Sequence, residues 1–127
     1  MLRACRRLLR PGGRLAFYTI FIPSGLSESD YRRATRSGPP AVTSARRDHK
    51  EMLEAAGFGA VEEVDATPQF LRTTRGWYEA RRRRADELVE AEGEALYEER
   101  QQDYRKQLRA IEAGLLCRSL FLAERLP

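Results

Sequence analysis

Lysine is almost missing from this sequence. Lys50 and Lys106 are the only two, so 21 of its 23 basic residues are arginine, and with many Ala, Gly and Glu the bias reads first as GC-rich coding. Histidine occurs once, at His49, and cysteine twice, at Cys5 and Cys117. The thiols have no second Cys or His at metal-ligand spacing, which leaves no metal site to argue for. Both are expected to be reduced and buried, with a disulfide between them the less favoured alternative. No stretch approaches the ~18 consecutive apolar residues that cross a bilayer. The opening Met1–Arg10 carries arginine at four of its ten positions and lacks the apolar core and small-residue cleavage site of a secretory signal. A cytoplasmic location with no membrane partner is the expectation. Charge is not segregated either. The formal net charge is +4 and the pI about 9.4, yet 19 acidic residues are mixed among the basic ones, so charge alone does not argue for a nucleic-acid partner.

What is present suffices for one domain. At 127 residues and 42% hydrophobic, the chain can bury roughly two thirds of its unfolded surface, and residues 1–127 are read as a single unit. LRACRRLLR places Leu2, Cys5, Leu8 and Leu9 at helical spacing with arginines opposite. Pro11 stops that helix and Gly12-Gly13 permit a sharp reversal. Residues 13–22, GRLAFYTIFI, form a near-continuous apolar run without the alternation of a half-wet sheet, so a strand covered on both faces is predicted. A Ser-, Gly-, Pro- and Arg-rich loop follows at 23–47, with one short helix at 27–35 capped by Ser27. DHKEMLEAAGFG then signals a helix, with Asp48 as cap, Glu51 at the capping-box position and Gly57 as terminator. It leads into GAVEEVDAT, a shorter and more exposed strand at 60–66.

Thr67-Pro68 open a long helical insertion over 68–113, with breaks predicted near Gly76 and Gly93. Its second half carries Leu96, Tyr97, Arg100, Tyr104, Leu108 and Ile111 as a helical stripe expected to face the core. Arg81–Arg84 spread around a helix within reach of Glu79, Asp86, Glu87 and Glu90, which points to a salt-bridged solvent face. Residues 115–124 form a last apolar strand.

The pieces LRPGGRLAF, MLEAAGF before a Val-rich strand, and LLCRSLFLAER, in that order, resemble the C-terminal half of a class I S-adenosylmethionine-dependent methyltransferase, a Rossmann-like fold of the type 11 kind. The resemblance covers nearly the whole chain. It implies an α/β fold in the form of an incomplete Rossmann-like half, with strands at 13–22, 60–66 and 115–124, the last antiparallel between the other two, and 68–113 as inserted lid. It also implies that the fourth strand of the family has already passed where this sequence opens. Strand 13–22 would then lack one neighbour, and self-association through it is expected.

The family holds its cofactor, S-adenosylmethionine, on a glycine-rich loop after the first strand, an acidic residue ending the second, and contacts after the third and fourth; none has a counterpart in these 127 residues. Gly57-Phe58-Gly59 is the nearest spelling, but it leaves a helix and enters a strand, the reverse of a nucleotide-binding turn. No cofactor is expected to bind this chain alone. What the resemblance leaves is the acceptor side. Phe21 at the strand end, Tyr31 and Arg36 in the loop, and Trp77 and Tyr78 in the insertion become candidate contacts to a small-molecule methyl acceptor. Core packing is the plainer reading for Phe21, Trp77 and Tyr78, and a solvated charge for Arg36. His49, in the first turn of its helix, reads as a surface residue. No catalytic residue is named, because proximity and in-line orientation of an activated methyl donor can supply most of the acceleration. The alternative function is a non-enzymatic α/β interaction module derived from the same fold, contacting acidic partners through its Arg-rich helices.

Overall fold

The computed structural model describes residues 1–39 and 48–127; the part of the predicted loop at 40–47 lies outside the described residues. Helix α1 (Leu2–Leu8) ends at a turn where Gly12 adopts φ 77°. A Cβ on Gly13 would lie 2.8 Å from the Arg10 carbonyl oxygen, so the tightness of this reversal requires glycine. The turn is tied to the far end of the sheet: Gly12 N–H donates to the Arg125 carbonyl at 2.9 Å, and Arg125 N–H donates to that of Gly13 at 2.8 Å.

Strand β1 (Arg14–Phe21) follows, then α2 (Glu28–Ser37), whose Ser27 cap accepts from Asp30 N–H at 3.1 Å. Helix α3 (His49–Ala55) is capped by Asp48, which accepts from Lys50 N–H at 3.0 Å. Gly57, at φ 90°, turns the chain into β2 (Phe58–Asp65). The insertion forms α4 (Thr67–Arg83), α5 (Ala85–Glu92) and α6 (Glu94–Glu112), and β3 (Cys117–Arg125) closes the sheet.

The strand order is β1-β3-β2, with β3 antiparallel to both neighbours. The inserted position of the last strand is therefore as the resemblance implies. Register is set by apolar pairing: Phe17 stands opposite Phe121 and Leu15 opposite Ala123. On the other side of β3, Ala60 and Val61 form a bulge opposite Ala123, between the Gly59↔Glu124 and Glu62↔Leu122 pairs. Ala60 there takes φ 48°, the left-handed conformation that an extra residue in a bulge adopts.

Helices cover both faces of the sheet. On one face Leu53, Phe58, Phe121 and Ala123 form a buried cluster against which Leu2, Cys5 and Leu9 of the α1 segment pack. On the other, Ile22, Ala34, Phe70, Ala110, Ile111 and Leu116 join α2, α4 and α6 to the sheet. Burying each large apolar side chain contributes about 1.5–3 kcal/mol before conformational entropy is subtracted.

Several expectations are corrected. The first strand does alternate: Arg14, Ala16 and Tyr18 are exposed while Leu15, Phe17 and Thr19 are half-buried, because β1 lies at the sheet margin where the helices cover it only in part. Strand β2 is exposed as predicted but matches β1 at eight residues. Gly76 does not break α4, since the turns on either side supply its hydrogen bonds; the break falls at Arg84, and Gly93, at φ 89°, ends α5. Leu8 points outward at 88% exposure. In α6, Leu96 and Arg100 lie off the buried stripe, and Gln101, 2% exposed, takes the core position.

Candidate functional site

Even-numbered residues of β1 and β3 share the sheet face turned toward the inserted helices, as a strand period of two requires. On it Tyr18, Ile20 and Arg118 meet Phe70 and Trp77 of α4 and Tyr104 of α6 around an open cleft of about 650 Å³. Thr73, Thr74 and Gln107 add short polar groups, and no carboxylate lines it among the described residues. The Trp77 and Tyr104 rings meet edge to face at 6.4 Å. The Arg118 guanidinium lies over the Tyr18 ring at 4.6 Å and has no ion-pair partner among the described residues. A flat apolar ligand would find four aromatic rings and one cation here.

The wall of this cleft is held by a polar network behind it. Arg81 in α4 donates Nη1 and Nη2 to the two carboxylate oxygens of Glu92 in α5, at 3.1 and 2.9 Å, and its Nε to buried Gln101 of α6 at 2.9 Å. Arg100 donates to the same carboxylate at 2.7 Å. Hydrogen bonding by Arg81 pulls the Glu92 carboxyl below its usual range, and the same bond raises Arg81. A fork paired with a carboxylate fixes direction as well as distance, so these bonds tie α4, α5 and α6 to one another. Arg82–Glu79 and Arg84–Glu87 are exposed ion pairs of the expected kind, whereas Arg81 departs from the expected solvent face, its side chain being 16% exposed and paired with Glu92.

Of the predicted acceptor contacts, Trp77 lines the cleft at 62% exposure. Arg36 lies in an adjoining groove that shares Pro39, Tyr104 and Gln107 with it. Phe21 is on the opposite face of the sheet, its ring 5.0 Å from His49 and 6.4 Å from Phe121. Tyr31 packs against the core beneath α2. Tyr78 turns toward α6, where its hydroxyl accepts from Arg105 at 3.4 Å. The fold thus brings together Trp77 and Arg36, and separates Phe21 and Tyr78 from them. Neither Tyr18 nor Arg118 is among the site residues expected from the sequence, and Tyr104 is expected only as part of the core-facing stripe. Parity along β1 was the available signal: Tyr18 shares a face with Ile20, and Phe21 does not.

His49 is half-buried, stacked on Phe121 at 4.9 Å, so it is not the surface residue expected. Burial holds its pKa below the ordinary 6.5, outweighing the pull of Glu63 and Asp48 in the other direction. Burial also pushes the Cys117 thiol up, which keeps it protonated and poorly nucleophilic near neutrality. Both cysteines are free and half-buried. Among the described residues no cluster of three His, Cys, Asp or Glu could hold a metal ion, and no helix is long and apolar enough to cross a membrane.

No family model matches the chain, and no curated protein matches its sequence. Solved structures do. Over 99% of its length it is similar to phosphoethanolamine N-methyltransferase 2 of Haemonchus contortus, solved with phosphomonomethylethanolamine and S-adenosylhomocysteine, at TM-score 0.78 and 16% identity. It covers 29% of that chain. A mycolic acid cyclopropane synthase matches over 98% at TM-score 0.85 and 18% identity, with 51% of that chain covered. A cyclopropane synthase from Mycobacterium tuberculosis matches over 98% at TM-score 0.77 and 18% identity, with 48% covered. At such identities the likeness is one of fold. The chain has a methyltransferase-like α/β fold and spans about half or less of the structures it resembles.

Gly57 and Gly59 do not form a cradle for the methyl donor. Glycines that cradle a nucleotide leave room for backbone to approach a ligand. In Gly57-Phe58-Gly59 the room is filled from within: a Cβ on Gly57 would lie 2.4 Å from Arg6 Nε, and one on Gly59 2.8 Å from Leu126 Cδ2. Both glycines serve packing between α3, β2 and the chain's two ends.

Proposed function

We propose that this chain is the acceptor-side portion of an S-adenosylmethionine-dependent methyltransferase, with the Tyr18–Trp77–Tyr104 cleft receiving a small-molecule acceptor and the helices at 68–113 serving as its lid. The donor is held by residues outside these 127, and the chain by itself is inactive. The observation that carries this reading is the match over nearly all of this chain to less than two thirds of enzymes solved with S-adenosylhomocysteine, together with a ligand-sized cleft on the inserted helices. Titration calorimetry of the purified chain with S-adenosylmethionine tests the division of labour. No micromolar binding is expected, and a micromolar dissociation constant would overturn it. An in-frame strand, glycine-rich loop and helix encoded upstream of Met1 would supply the donor half. The longer product should then transfer labelled methyl to a small molecule and lose that activity in Trp77→Ala.

A second reading rests on the outer edge of β1, which pairs with no strand among the described residues. Its backbone donors and acceptors are open along an apolar strand, an invitation to another chain. The isolated chain self-associates through this edge; a single monomeric species at high concentration in sedimentation would refute that.

A further inference from the structure

The groove that begins at Pro39, Tyr104 and Gln107 does not end at Arg36. Through Arg36, Ser37 and Lys106 it continues into a second depression between α2 and α6, lined by Arg33, Arg36, Lys106 and Arg109, with Ser37 and Ala110 between them. Four cations from two packed helices face one space, and no carboxylate lines it among the described residues. Five other arginines of this protein, Arg75, Arg81, Arg82, Arg84 and Arg100, each hold a glutamate within 4 Å. None of the four in this depression has such a partner among the described residues, and Asp103, which lines the connecting groove, pairs with none of them. Like charges gathered on neighbouring helices repel, and an anion seated among them would convert that repulsion into attraction.

We propose that this depression binds a phosphate-type group of a small ligand whose flat apolar portion lies in the aromatic cleft. Guanidinium groups meet phosphate oxygens with paired N–H donors, and the ammonium of Lys106 adds a rotatable point charge. The shared lining makes one ligand the simplest occupant of both ends: the groove between them is bordered by Tyr104 on the cleft side and by Arg36 and Lys106 on the basic side. The identity of this ligand as the methyl acceptor rests on the function proposed above. Its binding does not, because it needs no methyl donor.

Trp77 is the only tryptophan and lines the cleft, so its indole N–H gives a single, assignable NMR resonance. Titrating the chain with phenyl phosphate should shift that resonance saturably at millimolar concentrations. Inorganic phosphate should compete while moving the indole far less. The charge-reversed pair Arg36→Glu with Lys106→Glu should weaken phenyl phosphate by at least about tenfold. Arg82→Glu, on the salt-bridged face, should leave it unchanged. Both variants alter exposed side chains, and circular dichroism checks that they fold. Equal binding by wild type and the charge-reversed pair would overturn the proposal, as would an indole that never moves. So would a single-stranded oligonucleotide that displaces phenyl phosphate with steep salt dependence, since the depression would then be a polyanion surface. Absence of methyl transfer by the longer product that carries the donor half, with these results intact, would sink the enzymatic reading and leave the phosphate site standing.

Discussion

Strands β1 and β2 flank the same central strand, run in the same direction and are equally long, yet they make edges of opposite character. On β2 the exposed residues are Ala60, Glu62, Glu63, Val64 and Asp65, and the strand is bent by the bulge at Ala60. Charges and bulges are what natural sheets use to discourage further pairing. Strand β1 has no charge beyond Arg14 and no irregularity over eight consecutive pairs. Phe121 shows the contrast at one point: it stands opposite Phe17 of β1, stacked at 5.5 Å, and opposite Glu63 of β2. One outer strand carries the devices of a protected edge and the other lacks them.

The difference is best broken by exchanging the two characters. Ala16→Lys places a charge on the exposed part of β1 and should weaken self-association by at least about tenfold, measured by sedimentation velocity. Glu62→Val with Asp65→Val should create a second adhesive edge and drive larger assemblies. The next effect is on stability. Phe17→Ala removes a ring stacked on the core and should cost about 3 kcal/mol, whereas Glu63→Ala should cost about 1 kcal/mol through the lost 2.8 Å hydrogen bond from buried Ser119. Urea unfolding midpoints compare them.

A third experiment uses pH. His49 sits against Phe21 and Phe121 on the β1 side, with Glu63 of β2 and its own cap Asp48 as the charges acting on it. Its folded pKa lies below 6.5, so as pH falls the unfolded chain takes up the proton first. Stability from this group is fully present above about pH 6.5, declines below it, and stops declining once the folded state is protonated too. The thermal midpoint should fall over that window, and His49→Phe should flatten the fall. The smallest expected effect belongs to the bulge. Ala60→Gly relieves the left-handed backbone at φ 48° and should stabilise by about 0.5 kcal/mol, the strain removed being partly offset by the greater freedom of unfolded glycine.

Much of the fold was written in local chemistry. Pro11-Gly12-Gly13, the Asp48 cap and the glycines at 57 and 93 act over a few residues, and each lies where an element begins or ends. Gly76 misled because a glycine between well-formed turns costs only about 1 kcal/mol, while the real break at Arg84 carries no sequence signal. The aromatic cleft was legible only through Trp77. Its other parts, Tyr18, Tyr104 and Arg118, are far apart in sequence and meet because β3 pairs beside β1 and α6 crosses over them, facts that no local pattern records. Phe21 shows the cost of reading position without parity: it is at the strand end, where a ligand was sought, but on the other side of the sheet.

The strand order has a consequence for how the protein is made. Strands β1 and β2 form no ladder with each other, and both wait for β3, whose residues 117–125 are translated after everything they bond to. Until those residues leave the ribosome, the backbone groups of β1 and β2 that face β3 have no partner to close on. A sheet whose central strand comes last closes only through pairings distant in sequence, and such pairing is intrinsically slow.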